Sequence, residues 1–258
     1  MGTAWRLIRD GDHDAATNMA IDEAIMSAHA LGGCPPTLRL YGWERPSISL
    51  GYFQDLSRGG IDLDYCEEAG IELVRRPTGG RAVLHGHDLT FSIVIAETEI
   101  PSASRSVLGS HAWLMGGIVE GLRLLGVDAQ LGAVDDAASE RSADCFAHAA
   151  ACDIVAGAHK VAGSAQVRRR GVILEQGSIP FRRPEIEPQR VFRRQTEVCC
   201  KLPEGLDRRT LEDAIILGFR ESQGIEMAED RLSADETDAA RELAATRFSD
   251  RAWTLRVR

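Results

Sequence analysis

Three short apolar runs follow one another inside residues 71–95: 71–75, 81–85 and 89–95. Pro77-Thr78-Gly79-Gly80 separates the first pair, and Gly86 stands between the second and third. In Leu89-Thr-Phe-Ser-Ile-Val-Ile95, Thr90 and Ser92 alternate with apolar neighbours, as in a strand. Strands this short persist only as members of a sheet, and a sheet has to be covered. Residues 5–9, 37–41, 47–52 and 128–132 add further strand candidates.

The cover comes from helices at both ends and in between. Asp14 can cap a helix over 15–30, where Ile21, Ala24, Ile25 and Ala28 fall at i, i+3, i+4 and i+7. Asn18, Asp22 and Glu23 then face elsewhere, as solvated residues. Residues 63–69 suit a short helix ending at Gly70. Over 106–126, Val107, His111, Leu114, Ile118, Leu122 and Leu125 share one face. Leu211, Ala214, Ile215, Gly218 and Phe219 do so over 210–222, and Ser233 with Glu236 forms a capping box for 234–247. Small, polar residues 133–143 are expected to form a loop. The fold class expected is α+β, with mixed or antiparallel sheets covered by helices.

At 258 residues and 44% apolar, the chain can bury the core of one large domain. A net charge of −9 argues against a general nucleic-acid binder. No apolar run reaches membrane-spanning length, and MGTAWRLIRDGDHD has no signal-peptide apolar region. A cytoplasmic location with reduced thiols is therefore expected. The six cysteines (34, 66, 145, 152, 199, 200) show no CxxC pair and no zinc-finger spacing.

Lysine usage singles out one stretch. There are two lysines, Lys160 and Lys201, against 28 arginines. Lys160 opens the small-residue run Lys-Val-Ala-Gly-Ser-Ala-Gln166, and an ammonium offers a shiftable pKa that a guanidinium does not. It is either a retained functional lysine or a residual surface one. Cys145 is a candidate nucleophile if a cation such as Lys160 favours its thiolate; otherwise it is a small buried apolar residue. Pro77-Thr78-Gly79-Gly80 lets backbone approach a ligand, or is a plain hairpin turn. Arg75 and Arg76 point to opposite strand faces, so at most one serves that loop. His85-Gly-His87 lacks the carboxylate–histidine company of a metal site, so no metal is expected. Eight arginines within 168–194 are a docking patch for an acidic partner, or a solvated strand face.

Together these motifs resemble a known superfamily. Arg75-Arg76-Pro77-Thr78-Gly79-Gly80-Arg81-Ala82-Val83-Leu84-His85 resembles the RRxxGGxxVxH signature of the lipoate-protein ligases and octanoyltransferases, kin to biotin protein ligases. Lys160-Val-Ala-Gly-Ser-Ala-Gln, with Gly177-Ser178 downstream, is similar to the second signature of that superfamily. Asn18–Asp22, Tyr41-Gly-Trp43 and Ser49-Leu-Gly-Tyr-Phe-Gln54 fit its N-terminal elements. Cys145-Phe146, fifteen residues before Lys160, resembles the cysteine-dependent, LipM-type octanoyltransferases. One departure stands out: Leu174-Glu175-Gln176 replaces that group's Leu-Gln-His, so no proton-transfer role can be assumed at position 176.

The resemblance implies a biotin/lipoate protein ligase-like catalytic domain over 1–205, with 206–258 a helical extension packed on it. It implies an eight-carbon acyl tunnel closed near Gly79-Gly80, whose burial contributes about 0.8 kcal/mol per CH₂. It also implies octanoyl transfer from acyl carrier protein to a lysine of a lipoyl domain, through an acyl group on Cys145. Lipoyl proteins of this kind include the glycine cleavage H protein and 2-oxoacid dehydrogenase E2 subunits. Lys160 favours the thiolate, and backbone N–H groups around Gly163, Ser164 and Ala165 share the oxyanion charge. Arg76, Gly79, Gly80 and His85 are the remaining substrate-binding candidates. No cofactor is needed, because a thioester passing to an amide runs downhill. Two alternatives accompany this reading: an ATP-dependent lipoate ligase, needing ATP and Mg²⁺, and a non-catalytic acyl-carrier or lipoyl-protein binding module.

Overall fold

The structure is a computed structural model that describes residues 4–58, 60–132, 153–193 and 202–256. The chain runs β1 (Trp5–His13), α1 (Ala15–Ala30), β2 (Thr37–Trp43), β3 (Ser47–Leu50), α2 (Leu63–Glu68), β4 (Glu72–Arg75), β5 (Val83–His85) and β6 (Asp88–Ala96). It continues through α3 (Val107–Leu124), β7 (Ala129–Leu131), β8 (Ile154–Ala156), β9 (His159–Arg169), β10 (Val172–Pro180) and α4 (Pro188–Phe192). The last elements are α5 (Arg208–Gln223), β11 (Met227–Glu229), α6 (Ala234–Leu243) and α7 (Arg251–Thr254).

Eight strands make a large sheet, β11-β1-β2-β6-β10-β9-β8-β7, and three make a small one, β4-β3-β5. The β11-β1-β2 edge is parallel and the rest of the large sheet antiparallel. Alternate residues of its strands enter separate cores. Leu7, Leu40, Ile93 and Ile173 pack with α3 and α5, while Ile8, Tyr41, Val94 and Leu174 pack with α1. Cover on both faces explains why these strands read as nearly continuous apolar runs. The small sheet has its own core, with Ile48, Leu50 and Leu84 against Cys66 of α2 and Phe192 of α4. The α+β class with mixed sheets under helices is the one observed.

Local signals fixed several boundaries. Asp14 accepts from the Thr17 N–H at 2.8 Å and starts α1. Ser233 and Glu236 cap α6 reciprocally, and Glu236 also holds Arg6 of β1 at 2.6 Å. That buried ion pair ties the last long helix to the first strand.

Other expectations need correction. β4 and β5 are not a hairpin: both pair with β3, one on each side, so residues 76–82 cross over rather than turn back. β2 and β3, adjacent in sequence, belong to different sheets, and β3 ends at Leu50. Val107 lies 57% exposed at the start of α3, outside its buried face. The helix after Ser233 becomes a π-helical turn over Ala244–Phe248. β11, unmarked by any periodicity, adds to β1 in the closing segment otherwise read as helical. Residues 133–143 lie outside the described residues.

Candidate functional site

A pocket opens where the two sheets meet. Met19, Tyr41, Trp43 and Gln176 contribute from α1 and the large sheet, Ser49, Val83 and His85 from the small one. Gly163, Ser164 and Ala165 of β9 and Gly177-Ser178 of β10 complete the wall. Apolar rings surround a few fixed polar groups, the usual composition of small-molecule sites.

One wall is organised by Asp22. Its side chain is fully buried, which corrects the expectation of a solvated residue. Arg39 and Ser92 donate to one carboxylate oxygen at 2.8 and 2.7 Å. Tyr41 and Gln176 donate to the other at 2.9 and 2.6 Å. Asn18, also buried, accepts from Arg39 and donates to the Gly42 carbonyl. A buried carboxylate is tolerated when its lone pairs are filled in this way and a guanidinium stands beside it. Burial and the Asp22 charge push the Tyr41 hydroxyl well above its ordinary pKa, so it stays a donor. Gln176 accepts the Thr78 hydroxyl proton at 2.9 Å. The residue that departs from the family pattern thus links α1 to the Pro77–Gly80 loop.

The opposite wall is organised by Asp88. It accepts from His85 Nδ1 at 2.8 Å, Ser178 Oγ at 2.6 Å, Thr90 Oγ1 at 2.9 Å and the Gly86 N–H at 3.1 Å. Burial alone raises its pKa, but the neighbouring His85, His87 and Ser178 outweigh that and hold it below the usual carboxylate range. His85 stacks on Trp43 with ring centres 4.0 Å apart. Its Nε2 meets Ser49 Oγ at 2.8 Å.

The two arginines divide as the strand alternation requires. Arg76 turns toward the pocket, donating to the Ser49 carbonyl and hydroxyl and to the Gly79 and Arg81 carbonyls. Arg75 turns away and holds the carbonyls of Gly51, Gln54 and Thr254. Gly80 sits at φ +87, and its carbonyl lies where a Cβ on Gly51 would stand. The Gly79-Gly80 backbone therefore closes against β3 in a way side chains would forbid.

Lys160 is not a surface lysine. Its side chain is 4% exposed, and its ammonium meets Asp153 Oδ1 at 2.8 Å, a partner the sequence did not reveal. It lies over Gly163, where a Cβ would come within 2.7 Å of Nζ. The small-residue run after Lys160 is thereby explained in part: Gly163 makes room for the ammonium, and the next two residues, Ser164 and Ala165, line the pocket. Cys145 lies outside the described residues, as do Cys152, Cys199 and Cys200. Of the thiols described, Cys34 and Cys66 are both pushed up to about 11 by burial. Neither lines the pocket. Among the described residues no group of His, Cys, Asp and Glu is arranged to hold a metal ion, and no helix is long and apolar enough to cross a membrane.

The arginine-dense span is partly internal. Arg168 pairs with Glu97 and Ser110, Arg169 with Glu23, and Arg193 with Asp62. Arg190 covers the Tyr65 ring at 4.0 Å.

A fold of this kind, with a lysine and a double-glycine loop at one pocket, defines a class. The Lipoyl protein ligase A/B catalytic domain matches residues 14–224, and the chain belongs to that family. Curated relatives include the octanoyltransferase LipM of Kyrpidia tusciae, 38% identical over 98% of both chains, and that of Geobacillus kaustophilus, 35% identical over 98% of both. Among solved structures, a T. acidophilum lipoate protein ligase with bound lipoic acid superposes with a TM-score of 0.81 at 29% identity, covering 98% of this chain and 99% of that one. Lipoate-protein ligase A bound with ATP gives 0.78 at 28% identity over the same shares.

Proposed function

We propose that the protein is an octanoyltransferase that moves an octanoyl group from acyl carrier protein to a lysine of a lipoyl domain, with Cys145 carrying the acyl group between them. The observation that carries this reading is the buried Lys160 ammonium, set over Gly163 beside an apolar-walled pocket. Full-length likeness to LipM octanoyltransferases supports the acyl group assigned to it.

The Cys145 thiolate attacks the carbonyl carbon of the carrier thioester. A carbon–sulfur bond forms and the carrier's own thiolate leaves. Lys160 favours the Cys145 thiolate by charge, and the Gly163–Ala165 backbone shares the oxyanion. The acceptor lysine then attacks the Cys145 thioester, forming the amide and returning the thiol. Arg76 holds the Gly79 and Arg81 carbonyls on either side of Gly80, at the closed end of the acyl pocket. His85 lines the pocket beside Ser49. Because the donor is already a thioester, no nucleotide enters. Arginines not engaged internally, Arg170 and Arg183 among the candidates, face acidic partner proteins, and the enzyme works in the cytoplasm. Residues 206–258 extend the catalytic domain of 1–205.

A second reading is favoured by the likeness to lipoate ligases with bound lipoic acid and ATP. Supplying octanoyl carrier protein and a lipoyl domain without nucleotide separates the two. Amide formation under those conditions supports the transferase. Amide formation only from free lipoate with ATP and Mg²⁺ supports the ligase.

A further inference from the structure

A closed ring of stacked and ion-paired side chains joins β9, α1 and the C-terminal segment. Arg169 and Arg247 both donate to Glu23. Arg247 lies 3.8 Å over the Trp253 ring and Arg256 lies 3.7 Å over it. Arg256 also covers Tyr52 at 4.2 Å, and Arg169 closes the ring at 5.9 Å from Tyr52. Three partly exposed guanidiniums are thus gathered around one carboxylate, in a chain whose net charge is −9. Aromatic faces between them let like charges lie close together. Phe53, 71% exposed, stands beside the ring with its own ring centre 4.9 Å from that of Tyr52.

Next to Arg169 the chain turns. Arg170 and Gly171 alone separate the paired residues Arg169 and Val172, at φ +53 and +76. Positive φ at both positions makes this a type I′ turn, whose first position is best filled by Asn, Asp or Gly. An exposed arginine in the left-handed region supplies a cation at the hairpin tip and weakens the turn. Arg168 takes no part, because it is held on the opposite face of β9 by Glu97 and by Ser110 of α3.

We propose that this ring, with Phe53 and Arg170, is the seat on which an acidic lipoyl domain rests while it presents its lysine. The inference deepens the proposed function and rests on its acceptor, which the transferase and ligase readings share. Interfaces favour Arg, Trp, Tyr and Phe, and a local cationic surface lets an acidic domain dock on a chain of the same overall sign. The place fits as well. Residues 165, 167 and 169 alternate onto one face of β9, and Ala165 lines the pocket. Four residues of strand put Arg169 about 13 Å from Ala165. A domain of about 100 residues has a radius of gyration of about 13 Å, so one seated on the ring extends over the pocket wall. A lysine reaches no further than its own side chain, so the acceptor's body has to rest on this face. A donor offered on a long flexible arm does not.

The test titrates an isotope-labelled lipoyl domain with the full chain and follows its chemical shifts at low and high salt, with acyl carrier protein titrated in parallel. Phe53→Ser should weaken lipoyl-domain binding about tenfold, the loss expected of an aromatic anchor. Arg170→Asn should weaken it about threefold and flatten its salt dependence. The same variant should unfold at a temperature no lower than wild type, because Asn-Gly suits the turn better. Affinity that falls while stability holds or rises is not what a merely structural role for the tip produces. Carrier binding should hold in both variants. Wild-type lipoyl-domain affinity in either variant, or an equal loss toward the carrier, would overturn the seat. Nucleotide-free octanoyl loading, followed by intact mass, reads the acyl-cysteine route separately. Should that route fail, the acceptor is still a lipoyl domain under the ligase reading, and the titrations still decide the seat.

Discussion

Gln176 donates its amide N–H to Asp22 across 2.6 Å and accepts the Thr78 hydroxyl at 2.9 Å. One side chain on β10 thus joins the first helix to the double-glycine loop. Its amide suits this post because it both donates and accepts.

Gln176→Glu replaces the donor with a second carboxylate against Asp22. The variant should lose about 3 kcal/mol of stability at pH 7.5, the cost of a buried charge left without compensation. Part of the loss should return at pH 5, where the introduced carboxyl, once protonated, can donate again. Urea unfolding at the two pH values measures both effects.

Much of this wall was legible only in part. The caps at Asp14 and Ser233 are local, so four neighbouring residues reveal them. Strand existence was readable from apolar runs, but pairing order was not: nothing in 71–85 says that β3 lies between β4 and β5. Asn18 and Asp22 looked solvated because their partners, Arg39 and Gln176, come from distant strands. Lys160 stood out by composition, and Gly163 beneath it by the motif. Asp153 did not, since a single aspartate carries no pattern.

Gly163→Ala tests the seat of the ammonium. The added methyl meets the flexible end of Lys160, which can move aside, so stability should change little. A displacement near 1 Å at a reacting centre can cost about 100-fold in rate. Acyl-transfer assays should therefore show a large loss while thermal unfolding stays close to wild type.

The C-terminal segment braces the pocket from behind. Arg75 binds the Thr254 and Arg256 carbonyls, and Trp253 donates to the Arg75 carbonyl. Arg256 lies 3.7 Å over Trp253 and 4.2 Å over Tyr52, whose N–H is bonded to Thr78. Deleting residues 250–258 removes two charged hydrogen bonds of Arg75. The expected cost is about 3 kcal/mol or more, at about 1.5–3 kcal/mol for each. Denaturant titration gives the stability, and an octanoyl-transfer assay should show activity falling with it as the 51–54 turn loosens.

Asp88 also predicts an acid limb of stability. Its folded pKa lies below the unfolded value of about 3.9. The stabilisation is complete above the unfolded value and is lost as pH falls toward the folded one. Unfolding free energy should therefore decline between about pH 4 and pH 2. Asp88→Asn should show a shallower decline across the same window.

The central claim is that an acyl group rests on Cys145. Intact mass spectrometry of the protein mixed with octanoyl carrier protein, without nucleotide, addresses it directly. One octanoyl adduct is predicted, mapped to Cys145, discharged by a lipoyl domain and absent from Cys145→Ser. An unmodified Cys145 in an enzyme that still forms the amide, or full activity in Cys145→Ser, would contradict the account.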